Sequence, residues 1–167
     1  MASIDMSKNH TILDDIPGYP AWLSVARTAQ LCHRQLSAAL EPLGLEVAHY
    51  DVLANILRDE GLSQQVLARR LLVAKSNVSA LLTVLERRAF IVRSKHASDA
   101  RLRLISLTPE GRRITEQAMA LQARIATLML DVLTVEEAEA VRQAMIKIMA
   151  VLEPWDANGI DAELTEA

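Results

Sequence analysis

The sequence predicts a mainly α-helical protein that carries one small β-hairpin. Three observations lead there. Apolar residues recur at spacings of three and four along most of the 167-residue chain, the mark of amphipathic helices. At Phe90-Ile91-Val92 and at Arg101-Leu102-Arg103-Leu104 the period falls to two, as in a pair of strands. Hydrophobic residues make up 51% of the chain at a mean hydropathy of +0.15. Yet no apolar run reaches the ~18 residues that a membrane-spanning helix needs. The excess is expected to be buried between copies of the chain.

Residues 1–19 read as a flexible arm closing on Pro17-Gly18-Tyr19-Pro20. They carry neither a basic leader nor an apolar core, so no secretory signal is expected there. The first helix is predicted over 21–41 by the stripe Val25, Ala29, Cys32, Leu36 and Leu40, and Pro42 and Gly44 stop it. A second helix is predicted over 47–60, with Val52, Leu53, Ile56 and Leu57 inward and Gly61 at its C-terminal stop. Ser63 suits the N-cap of a short third helix reaching 71. The fourth spans 75–88, burying Val78, Leu81, Leu82 and Leu85. The hairpin follows, its polar tip running from Ser94 to Ala100.

Thr108-Pro109 is an oxygen-bearing cap followed by proline at the first helical position, which starts the fifth helix, 109–132. Its near-heptad stripe is Ile114, Ala118, Leu121, Ile125, Leu128 and Val132. Thr134-Val135-Glu136-Glu137 is a capping box that opens the sixth, to about 152, with Ala138, Val141, Met145, Ile148 and Leu152 on one side. One domain cannot easily cover both stripes, and a partner chain can. The expected organisation is therefore a flexible arm (1–19), dimerisation helices (20–45 and 109–152), a lobe between them (46–108) and an acidic tail (153–167).

Charge singles out that lobe. Residues 62–113 hold eleven Lys/Arg against three Asp/Glu, while the rest of the chain holds seven against eighteen, for a total of −3. An acidic body with one compact basic segment fits a polyanion-binding face. Helix, short helix, turn, helix and basic hairpin is the order of a winged helix-turn-helix, with recognition helix 75–88 and wing 91–107. The polar face of that helix places Ser76, Ala80, Thr83 and Arg87 opposite Val78, flanked by Asn77 and Ser79. Lys75, Ser76, Asn77 and Ser79, at its N-terminus, are the expected base readers, since Asn binds adenine bidentately and Ser several base edges. Arg87 and Arg88, at the far end, would meet phosphates or solvent. Lys95 and Arg103 line the wing. Only five aromatics occur, which argues against a base-stacking sheet.

At Asp99-Ala100-Arg101, Leu107-Thr108-Pro109-Glu110-Gly111 and Leu85-Glu86-Arg87-Arg88 the chain resembles the MarR family of dimeric winged-helix transcriptional regulators. The resemblance covers about residues 21–152. It implies that Arg101 is the wing-tip arginine entering a minor groove and that Asp99 orients it. A narrow minor groove concentrates negative potential, and a carboxylate two residues away can hold the guanidinium. Against the family pattern, Ala74 stands where a capping Ser is usual, so the cap is lost or moves to Ser76. Leu72 and Ala89 replace turn residues that are usually glycine, and Ala100 replaces a second wing arginine.

The resemblance also implies a small, often aromatic, anionic effector bound between the dimerisation helices and the lobe. Trp22, Arg27, His33, Arg34, His49 and Tyr50 are the candidates, an Arg or His beneath an apolar lid being suited to a carboxylate. The partners expected are double-stranded DNA, a second copy and that effector, with no membrane. Two other readings stay open: a peroxide sensor acting through Cys32, and a protein-binding winged-helix module. The single cysteine fits a reducing cytoplasm. No cofactor or metal is expected, because Cys32 and the four histidines show no ligand pair at helical spacing. No hydrolase elbow, zinc-protease motif or phosphate-cradling loop is present, so an enzyme is not expected.

Overall fold

A computed structural model of the chain describes residues 12–71, 73–95 and 103–152. The chain divides between Ala123 and Arg124 into two compact units. In the first unit a short helical turn at Ile12–Asp15, within the segment expected to be a flexible arm, precedes α1 (Tyr19–Leu40), which starts on Gly18 at φ 84° with Pro20 in its first turn. A tight helical turn at Glu41–Leu43 ends on Gly44, φ 64°, and reverses the chain into α2 (Val47–Arg58). Then come β1 (Leu62–Ser63), α3 (Gln64–Leu71), α4 (Lys75–Arg87), β2 (Ile91–Lys95), β3 (Arg103–Leu107) and α5 (Pro109–Leu130).

The periodic stripes settle where the core lies. Leu40, Tyr50, Val52, Leu53, Ile56, Leu67, Val78, Leu82, Leu85, Ile91 and Ile105 are fully buried together. Each such aliphatic side chain contributes about 1.5–3 kcal/mol of burial. Val78, Leu82 and Leu85 seat α4 on this core, which leaves its other face outward.

A hairpin forms, but its strands differ from those expected. Ser94 and Lys95, expected in the tip, extend β2, and the return strand begins at Arg103 and reaches Leu107. The rest of the tip lies outside the described residues. β2 runs antiparallel to β3 from Ile91↔Leu107 to Lys95↔Arg103, backbone pairing carrying the strands past the short stretches where side chains alternate. The sheet has a third, two-residue strand that periodicity does not show: β1 joins the far edge of β3 through Leu62↔Ile105, in the order β1-β3-β2. Gly61, at φ 80°, donates its N–H to the carbonyl of Ile105 at 2.9 Å and leads the chain into that pairing.

The start of α5 is built from the Thr108 side chain. Its Oγ1 accepts the Gly111 N–H at 2.9 Å and donates to the Ala89 carbonyl at 2.7 Å, capping α5 and tying it to the turn after α4. Gly111 is required there: a Cβ on it would lie 1.8 Å from the Phe90 carbonyl oxygen. Ser63 Oγ accepts the Val66 N–H at 3.4 Å and caps α3.

The second unit holds the end of α5 and α6 (Val135–Leu152). The capping box is formed, Thr134 N–H donating to Glu137 Oε2 at 2.9 Å and Glu137 N–H to Thr134 Oγ1 at 3.2 Å. Along the expected stripes Leu128, Val141, Ile148 and Leu152 remain exposed, Leu128 to 71%. Among the described residues no single helix is long and apolar enough to cross a membrane.

Candidate nucleic-acid interface

α3 and α4 form the helix-turn-helix, and β2 and β3 form the wing strands beside it. On α4, Ser76, Asn77, Ala80, Thr83 and Arg87 are exposed and Ser79 is half-buried, opposite the three buried anchors. Thr83 Oγ1 donates back to the Ser79 carbonyl at 2.8 Å, so its hydroxyl is engaged with its own helix. Lys75 opens α4 and Lys95 ends β2, but their side chains lie outside the described set. Arg103, exposed, opens β3. Leu72, Asp99, Ala100 and Arg101 lie outside the described residues.

Ala74 is the N-cap of α4, extended at φ −61° and ψ 145°, and makes no side-chain cap bond. The missing Ser therefore leaves the N-terminal amides without a capping side chain on Ala74. At Ala89 the chain takes φ 57°, the left-handed angle that glycine adopts freely.

Several arginines of the lobe are already committed. Arg88, expected to meet phosphates or solvent, is half-buried and makes contacts within the protein. Its Nη1 donates to the Gly44 carbonyl at 2.7 Å and its guanidinium sits 4.5 Å from the Phe90 ring centroid. The end of α4 is thereby bound to the turn between α1 and α2. Arg93 on β2 donates through Nε, at 3.0 Å, and through Nη2 to Glu86 Oε2 on α4. That hydrogen bond holds the Glu86 carboxyl below its usual range. Arg70 pairs with Asp59 at 2.7 Å, and Arg112 pairs with Glu60. Sequence reading missed the first two contacts because the partners are 44 and seven residues apart on different elements. The one clue was an isolated acid, Glu86, within a basic segment.

The six effector candidates do not converge. His33 and Arg34 line an open groove of about 730 Å³ with Ser37, Glu41, Gly44 and Glu46. Trp22 and Arg27 are exposed on α1, outside that lining. His49 and Tyr50 point into the core rather than into the groove, 7% and 1% exposed. The Tyr50 hydroxyl donates to Gln122 Oε1 on α5, and burial raises its pKa. His49 Nδ1 is buried with no hydrogen-bond partner among the described residues. Burial also raises the Asp51 carboxyl, with the nearby His33 pulling it back down. Cys32 is a half-buried thiol on α1. Among the described residues no three His, Cys, Asp or Glu side chains gather as a metal site.

A helix-turn-helix with an outward polar face and a β-hairpin at its side defines the class of a winged-helix regulator. Comparison with known proteins agrees. Residues 43–102 match the model of the MarR family. An uncharacterized HTH-type transcriptional regulator of Bacillus cereus is 30% identical over 136 residues, which is 81% of this chain and 90% of that protein. Among solved structures, a mutant MarR from E. coli complexed with operator DNA aligns with a TM-score of 0.74 at 23% identity, covering 84% of this chain and 99% of that one. CouR from Rhodococcus jostii, bound to p-coumaroyl-CoA, aligns with a TM-score of 0.71 at 26% identity, covering 89% and 99%. The chain belongs to the MarR family of HTH-type transcriptional regulators.

Proposed function

We propose that the protein is a homodimeric cytoplasmic repressor that holds a pseudo-palindromic duplex site and releases it when a small aromatic carboxylate-type effector binds. The observation that carries this reading is the outward face of α4, whose inner face is locked into the core by Val78, Leu82 and Leu85. A helix so anchored presents Lys75, Ser76, Asn77, Ser79 and Ala80 to a major groove, while Arg87, Lys95 and Arg103 reach phosphates. Arg101, oriented by Asp99, enters the adjacent minor groove. Residues 46–108 are the DNA-binding lobe, and 20–45 with 109–152 the dimerisation helices.

Two lobes related by a two-fold axis would meet half-sites about 34 Å apart. The exposed apolar residues of α6 and of the α5 end supply the surface that a second copy would cover. Repression follows from occlusion of a promoter. An effector releases DNA only by binding the DNA-incompetent lobe spacing more tightly. The groove beside His33 and Arg34 is the favoured place for its anionic end, and the p-coumaroyl thioester held by CouR shows an aromatic acyl ligand in a relative.

The test is selection of bound duplexes from a randomised pool, followed by binding of the winner at two salt concentrations. With six or more phosphate contacts, affinity should fall on the order of a thousandfold between about 50 and 200 mM salt. Arg101→Ala should weaken the winner. A salt-insensitive interaction, or a pool that yields no preferred sequence, would refute the reading.

A further inference from the structure

Glu86 is an acid in the wrong place for a surface that only attracts phosphate. It is one of three acids among eleven basic residues in 62–113, it sits on the last turn of α4, and it is followed directly by Arg87 and Arg88. Its carboxylate, 41% exposed, takes both the Nε and Nη2 donors of Arg93 on a single oxygen. Arg93 is the third residue of β2, two after the buried Ile91, and pairs in register with the buried Ile105. Residues two apart share a sheet face, so Arg93 lies on the side of the sheet that meets the core. The chain between the two elements is only Arg88, Ala89 and Phe90, with Ala89 in a backbone region that alanine disfavours. That short turn and the Glu86–Arg93 pair are both links between α4 and β2.

We propose that the Glu86–Arg93 pair is a positioning clamp that sets sequence selectivity by fixing the recognition helix against the wing strand, while lowering nonspecific attraction to DNA. This rests on the DNA-binding reading above. Phosphate contacts fix register and base contacts specify, so a wing and a helix must arrive in both grooves at one fixed offset to read a site. The pair also lowers general attraction to DNA: Glu86 offsets the charge of Arg93 and occupies its donors. Losing the clamp therefore has opposite effects on the two kinds of duplex. A merely stabilising surface ion pair would be worth little and would not distinguish them.

The experiment compares the duplex selected by the wild-type protein with a scrambled duplex of the same length and composition, using the full chain and fluorescence anisotropy. E86Q removes a repelling charge and frees Arg93, so the scrambled duplex should bind about threefold more tightly. The selected duplex should bind about threefold more weakly, so that the ratio falls about tenfold. E86D keeps the charge but sets the carboxylate one methylene short; it should weaken the selected duplex and leave the scrambled one unchanged. The exchange E86R/R93E should restore the ratio. Circular dichroism melts of each variant establish that the fold is kept, and E86D serves if E86Q does not fold. Equal tightening of both duplexes by E86Q, or an unchanged ratio in E86D, overturns the clamp. Should the wild-type protein itself bind both duplexes alike, the regulator reading fails first, and the clamp with it.

Discussion

Two single positions show how backbone geometry limits this sequence. Ala89 sits at φ 57° between α4 and β2, where its Cβ crowds the backbone. Ala89→Gly should raise unfolding free energy by about 1 kcal/mol, the relief of strain exceeding glycine's extra unfolded-state freedom. Urea denaturation at a fixed protein concentration measures it, and a lower midpoint would deny the positive φ in solution. Gly111 is the reverse case. Its α-carbon faces the Phe90 carbonyl so closely that any side chain must push α5 off the turn. Gly111→Ala should cost about 3 kcal/mol, at the upper end for overpacking, because the obstacle is backbone. Thermal unfolding would show this as a fall in Tm of several degrees.

Among the elements, α4 is well anchored along its inner face and poorly finished at its start. The N-cap Ala74 already has the extended backbone that a capping side chain requires, but no oxygen to offer. Ala74→Ser should therefore stabilise the protein by about 0.5–1 kcal/mol, by bonding an N-terminal amide of the helix. Hydrogen exchange at Ser76 and Asn77 reads the effect locally: their amides should slow, and unchanged rates would mean that the helix end is held some other way. α5 shows the contrast. Thr108 caps it and simultaneously bonds the Ala89 carbonyl, so one hydroxyl starts the helix and fixes the preceding turn.

For the molecule as a whole, the exposed apolar residues of α6 and of the α5 end matter most. Leu128, Val141, Ile148 and Leu152 would be poor surface for an isolated chain. If a second copy covers them, Ile148→Glu should yield a monomer by light scattering, with the lobe still folded by circular dichroism. Its affinity for the selected duplex should drop about a hundredfold or more, since two linked half-sites become one. A variant that stayed dimeric with full affinity would place the interface elsewhere.

The amino-acid sequence alone determined the six helices, the hairpin and the basic segment, because periodicity, caps and charge are local properties. The polar face of α4 was legible for the same reason: once Val78, Leu82 and Leu85 face inward, the helical repeat leaves Ser76, Ala80, Thr83 and Arg87 outward. Tertiary structure alone decided what depends on partners far along the chain. The two-residue β1 is defined only by its pairing with Ile105, and Arg88 meets Gly44 across 44 positions. His49 and Tyr50 were candidates for holding an effector, yet packing buries both, and the Tyr50 hydroxyl donates to Gln122. Arg93 meets Glu86 because β2 returns over the end of α4. A side chain's type is written in the sequence, but its neighbour across the fold is set by how the elements pack.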